Sequence, residues 1–119
     1  MLSAATTVKR REGKDRILCI DDDEDQLGLL ESVLSRLGYT VVITASPVTA
    51  VELAGRESFD AIITDLGMAE LDGLAVCERV IAARPDVPVL VLTGQGSMDT
   101  AIGALRAGAF DFLTKPLDN

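Results

Sequence analysis

Phe59–Gly73 reads FDAIITDLGMAELDG, and the rest of the chain is organised around it. Ala61-Ile62-Ile63-Thr64 is a short apolar run of the kind that forms a strand buried on both faces. It stops abruptly at Asp65, Leu66–Leu71 reads as a loop, and Asp72-Gly73 mark the start of a helix. An acid at the carboxyl end of a buried parallel strand lies where open α/β sheets put their chemistry. Taken alone, Asp65 is as well explained as a loop or capping aspartate.

Three other apolar runs change that balance. Ile17–Ile20 ends in Asp21-Asp22-Asp23, Val89–Leu92 ends in Thr93-Gly94, and Phe110–Thr114 ends in Lys115-Pro116. Each strand end thus carries a polar group suited to one phosphate and one hard cation.

Around these runs the pattern alternates strand and helix. Arg16–Ile20, Tyr39–Thr44, Ala61–Thr64, Val87–Leu92 and Phe110–Thr114 are the expected strands. The first helix follows the acids Asp21–Asp25, whose charge suits a helix N-terminus. Leu27, Leu30, Leu34 and Leu37 recur at helical steps, and Gly38 ends the helix. Ser46-Pro47 start a second helix, Val48–Ala54, that ends near Gly55. A third runs Gly73–Arg84 with Leu74, Cys77, Val80 and Ile81 inward. The fourth is capped by Ser97, carries the stripe Met98, Ala101, Ile102 and Leu105, and ends at Gly108. This alternation predicts right-handed crossovers and a parallel sheet.

Composition narrows the function classes. The 119 residues suffice for one domain, and 48% hydrophobic with 3% aromatic residues requires an aliphatic core. The longest apolar run is too short to span a bilayer. Met1–Asp15 carries Lys9-Arg10-Arg11 without a following apolar stretch, so it reads as a solvated, mobile tail rather than a signal segment. A net charge of −8 argues against general nucleic-acid binding. Cys19 and Cys77 form no paired motif and read as packed thiols in a reducing, cytoplasmic setting. With no histidine in the chain, any phosphohistidine chemistry must come from another protein.

In order and spacing, ILCIDDD, IITDLGMAELDG, VLVLTGQG and DFLTKP resemble the receiver domain of two-component response regulators, across Arg16 to about Pro116. The resemblance implies a doubly wound, flavodoxin-like α/β fold of five parallel strands in the order 2-1-3-4-5, with residues 1–15 as tail and 16–119 as the receiver domain. It implies that Asp65 accepts a phosphoryl group and that Mg²⁺ is held by Asp22, Asp65 and the Gly67 carbonyl, with Asp21 acting mostly through water. It further implies that Lys115 and the Thr93 hydroxyl meet the phosphate, together with the Gly67 and Gly94 amides. Thr93 and Phe112 would be the switch pair, Phe112 being equally readable as core. Charge counting agrees, since a divalent cation and one lysine balance three carboxylates.

The implied partners are a histidine kinase or histidine phosphotransfer protein and an output domain or effector. The domain itself would contact neither nucleic acid nor membrane, and would be a switch rather than an enzyme. The alternative is a degenerate receiver that binds partners constitutively. Pro116 would follow a cis bond if the pattern holds. Ala69 stands where proline is common, while Gly67 and Gln95 flank the phosphate and bear on its lifetime. Receivers normally continue into a fifth helix, which this sequence lacks room for after Leu113. Either the chain is a piece of a longer protein, or a second copy covers the aliphatic face near strands four and five.

Other motifs fail. Asp21, Asp23 and Asp25 imitate an EF-hand start, but Gln26 and Ser32 stand where glycine and glutamate are needed. Gly94-Gln95-Gly96 does not extend to a dinucleotide or Walker loop. A haloacid-dehalogenase-type phosphatase would carry an aspartate two residues after its nucleophile, where Gly67 stands here.

Overall fold

Five aliphatic runs pair side by side into one parallel sheet in the order β2-β1-β3-β4-β5. The strands are β1 (Arg16–Ile20), β2 (Thr40–Thr44), β3 (Ala61–Asp65), β4 (Val89–Thr93) and β5 (Asp111–Thr114). Four helices connect them: α1 (Glu24–Arg36), α2 (Pro47–Arg56), α3 (Gly73–Ala83) and α4 (Met98–Ala107). This computed structural model describes residues 15–67, 73–94 and 98–115. Residues 1–14 of the tail, Met68, Ala69, Asp72, Gln95, the Ser97 cap and the peptide bond at Pro116 lie outside the described residues.

Strand alternation sends side chains to two cores. Leu18, Ile20, Ile62, Val89 and Val91 pack with Ala50 and Ala54 of α2, Val76, Cys77 and Val80 of α3, and Ala104 of α4. Ile17, Cys19, Ile63 and Leu92 pack on the other face with Leu27 and Leu30 of α1. Among the described residues one helix therefore covers one face and three cover the other, so the sheet carries helices on both faces, as in a doubly wound fold.

The helix ends follow local chemistry. The Asp23 side chain caps α1 by accepting from the Asp25 and Gln26 amides, and Ser46 caps α2 by accepting from Thr49, with Pro47 in the first turn. Gly38 and Gly108 take φ of 100° and 119°, the left-handed conformation expected after α1 and α4.

Several expectations need correction. Arg56 extends α2 past Gly55, β4 starts at Val89 rather than Val87, and β5 starts at Asp111 rather than Phe110. The late start of β4 follows from the Val87 amide, which still donates back to the Arg84 carbonyl, and from Pro88, which can donate no ladder hydrogen bond. In α4, Ala101 and Ala104 face inward, whereas Met98 and Ile102 are exposed, because small side chains let the helix lie close to the sheet. Leu37 is exposed as the C-cap of α1, and Val76 joins the buried face of α3. The face near β4 and β5 is only partly open. Leu113 is 44% exposed, but Leu92 is fully buried.

Candidate functional site

The carboxyl ends of β1, β3, β4 and β5 meet at one place because all strands run the same way. Backbone hydrogen bonds continue the ladder beyond the strand ends and hold the residues there. The Asp21 amide donates to the Thr44 carbonyl at 3.3 Å, Leu66 to Leu92 at 2.9 Å, and Lys115 to Thr93 at 2.8 Å. Asp21, Asp65, Thr93 and Lys115 are thereby held on the rigid edge of the sheet rather than on free loops.

One carboxylate oxygen from each of Asp21, Asp22 and Asp65 lies within 4.8 Å of the others. Asp21 is fully buried, Asp65 is nearly so, and Asp22 is exposed. The Lys115 ammonium reaches over them, 3.0 Å from Asp65 Oδ1 and 3.6 Å from Asp21 Oδ2. Asp21 Oδ1 accepts from the Asp23 amide at 3.0 Å, which ties the first strand end to the cap of α1. Its Oδ2 is buried and accepts no hydrogen bond.

Burial drives the Asp21 carboxyl up to about 6 from an ordinary 3.8, with the Asp65 charge adding to the rise. The Asp23 amide and Lys115 pull the other way without cancelling it. Burial lowers Lys115, yet the facing Asp65 and Asp21 carboxylates outweigh that loss and hold the ammonium above its ordinary value. One lysine thus does not neutralise the site. The surplus negative charge, the all-oxygen donor set and a buried Asp21 oxygen that accepts no hydrogen bond suit a hard divalent cation.

Thr93 is buried at the end of β4, its hydroxyl donating to the Gly94 carbonyl at 3.4 Å. Gly67 is exposed beside the acids, and a side chain there would start 3.7 Å from Asp65 Oδ2. Phe112 is half-buried and packs on the larger core next to Val91. A cavity of about 290 Å³ lies between α1 and the end of β2, lined by Glu24, Leu27, Gly28, Ile43, Thr44 and Ala45. It contains none of the clustered acids. Both cysteines are buried, with thiols pushed by burial to about 12 for Cys19 and about 11 for Cys77, so neither is a nucleophile at neutral pH. Among the described residues no helix is long and apolar enough to cross a membrane.

The response regulator receiver domain family matches residues 17–119 of this sequence. The chain belongs to that family. Its relatives include the transcriptional regulatory protein ZraR of Salmonella typhimurium, 40% identical over 106 residues, and the response regulator protein PilR of Pseudomonas aeruginosa, 41% identical over 105 residues. These matches cover 89% and 88% of this chain but 24% of each relative, so the chain spans about a quarter of their length.

Among solved structures, a response regulator from Burkholderia pseudomallei superposes with a TM-score of 0.81 at 38% identity, covering 87% of this chain and 61% of that one. That structure holds a phosphorylated aspartic acid and a calcium ion. A CheY-like receiver domain protein from Methanospirillum hungatei gives a TM-score of 0.83 at 28% identity, covering 88% and 84%. The receiver fold with strand order 2-1-3-4-5 is therefore the architecture of this chain, and its family is one of phosphorylation-dependent signalling switches. Sequence reading named every acid of the cluster and its lysine. In sequence, Asp72-Gly73 reads only as the start of a helix.

Proposed function

We propose that this receiver domain accepts a phosphoryl group on Asp65 from a cytoplasmic histidine kinase or histidine phosphotransfer protein, and so regulates an output domain or effector. The observation that carries this reading is the buried Asp65 carboxylate, gripped by Lys115 at 3.0 Å and flanked by two more acids.

Asp65 is the nucleophile. One of its oxygens attacks phosphorus, the bond from phosphorus to the donor's histidine nitrogen breaks, and that nitrogen leaves with its electron pair to be protonated. Lys115 orients the carboxylate before attack and faces the added charge afterwards. Asp21, Asp22, Asp65 and the Gly67 carbonyl would hold Mg²⁺, which supplies charge neutralisation between carboxylates and phosphate. The Thr93 hydroxyl and the Gly67 and Gly94 amides are the donors for the phosphoryl oxygens. Thr93, on taking up that phosphate, turns inward and lets Phe112 follow, changing the surface of α4 and β5.

Catalysis here is positioning and charge stabilisation, so the domain is a phosphoacceptor that assists its own chemistry rather than a turnover enzyme. A degenerate, constitutive binding module would have no use for three convergent acids and a lysine facing them. Incubation with Mg²⁺ and acetyl phosphate, then intact-mass measurement, should add one phosphate to the wild type and none to Asp65→Asn. Equal labelling of both would remove Asp65 from this role.

A further inference from the structure

The loop that presents Gly67 to the acids is anchored by an unusual contact. Gly73, the first residue of α3, is buried, and a Cβ there would run into the carbonyl oxygen, carbonyl carbon and Cα of Leu66. No alanine fits unless one of the two backbones moves. Elsewhere the chain shows no such constraint among its described glycines. A Cβ on Gly28, Gly38, Gly55 or Gly94 would meet nothing within 4 Å, and one on Gly67 or Gly103 only ordinary contacts.

Leu66 is the residue between Asp65 and Gly67, and it is fixed from two sides. Its amide donates to the Leu92 carbonyl at 2.9 Å, and its side chain is buried in the larger core. The start of α3 closes on it from the other side. The helix cannot easily retreat, since Val76, Cys77 and Val80 are fully buried against the sheet. The path of the backbone leaving Asp65 is thus set by a sandwich of β4, Leu66 and α3. Gly67, next in line, inherits its place 3.7 Å (measured to a notional Cβ) from the Asp65 carboxylate.

We infer that Gly73 is a positioning residue: its missing side chain lets α3 clamp Leu66 and so sets the Gly67 backbone against the Asp65 carboxylate. The inference rests on the reading of Asp65 and Gly67 as the phosphoacceptor and a metal ligand. A methyl group at position 73 would displace the Leu66–Gly67 peptide by a fraction of an ångström or more. That displacement moves the Gly67 carbonyl away from a cation shared with Asp21, Asp22 and Asp65, while leaving the Lys115–Asp65 pair on the sheet edge intact.

The test compares Gly73→Ala with Gly55→Ala, an exposed helical glycine with open space around it. Mg²⁺ is titrated against the melting temperature of each variant, without any phosphodonor. Phosphorylation by acetyl phosphate is then measured as a function of Mg²⁺. For Gly73→Ala the half-saturating Mg²⁺ concentration should rise at least tenfold in both measurements, while the limiting rate at saturating Mg²⁺ falls less than threefold. Gly55→Ala should match the wild type in both. If Gly73→Ala is partly unfolded, trimethylamine N-oxide is added to restore the folded state before titration. An unchanged half-saturation in the folded variant, or a failure to fold even then, overturns the inference and makes Gly73 a packing residue only. If the wild type itself takes no phosphate, the reading of Asp65 fails, while the Mg²⁺-dependent melts still decide the role of Gly73.

Discussion

The two ends of the sheet treat charge in opposite ways. At the amino-terminal end of the strands, Arg16 donates to Glu57 at 3.1 Å and to the Ser58 carbonyl at 3.0 Å, and its guanidinium lies 4.9 Å from the centre of the Phe59 ring. Arg84 bonds Asp86 through two nitrogens and the Glu57 carbonyl through a third, and Asp60 accepts from the Arg16 amide. Every charge named there has an opposite partner or a backbone group, and most sit at the surface. At the carboxyl-terminal end, three carboxylates cluster, one lysine pairs with two of them, and a buried oxygen of Asp21 accepts no hydrogen bond. The first end holds loops in place. The second leaves negative charge in excess, which a bound cation or protonation of Asp21 would reduce.

That contrast can be broken from either side, and the acidic end should respond most. Saturating Mg²⁺ should raise the melting temperature of the wild type on the order of 10 °C, as expected when a ligand at about a hundred times its Kd binds only the folded state. Asp22→Ala should be no less stable than the wild type without Mg²⁺ and should gain far less from it. Thermal melts with and without Mg²⁺ check both, and an equal gain in the variant would put the metal elsewhere.

A smaller effect belongs to Asp21. Its folded carboxyl titrates near 6, above the ordinary 3.8, so the folded state binds its proton more tightly than the unfolded chain does. Its stabilisation is complete below about pH 4 and is lost as pH rises through about 6. Metal-free protein should therefore weaken across that window, and Asp21→Asn should flatten the decline. At pH 7 the variant should be the more stable of the two. Denaturant melts across pH check this, and a wild type that strengthens from pH 4 to 6 would contradict the sign.

The smallest effect belongs to the other end. Glu57→Ala removes a half-exposed ion pair with Arg16 and should cost about 0.5 kcal/mol, equally with and without Mg²⁺. Denaturant melts under both conditions check it, and a loss that depends on Mg²⁺ would show that the two ends are coupled.

What the sequence made legible is what depends on short range. Alternating apolar runs and their polar ends located every strand and all of Asp21, Asp22, Asp65, Thr93 and Lys115. Capping signals such as Ser46-Pro47 and the terminal glycines located most helix ends. Less legible was which residues of an amphipathic stripe reach the core. Met98 and Ile102 looked like core residues of α4, yet the helix lies on Ala101 and Ala104, and that choice depends on its rotation over the sheet. The clamp of Gly73 on Leu66 was hidden for the same reason, since it is a contact between two elements rather than a pattern within one. The charge network of Arg16, Glu57 and Arg84 was likewise invisible, because Glu57 lies 41 positions from Arg16 and 27 from Arg84 along the chain.

On the proposed function, the acidic end of the sheet exists to carry phosphate on Asp65. An acyl phosphate can be reduced by borohydride to an alcohol, which converts the modified aspartate into homoserine and marks its position permanently. After treatment with acetyl phosphate and Mg²⁺, reduction and digestion, peptide sequencing by mass spectrometry should find homoserine at position 65 and at no other acid. Homoserine at Asp21 or Asp22, or none in a protein that has gained a phosphate, would contradict it.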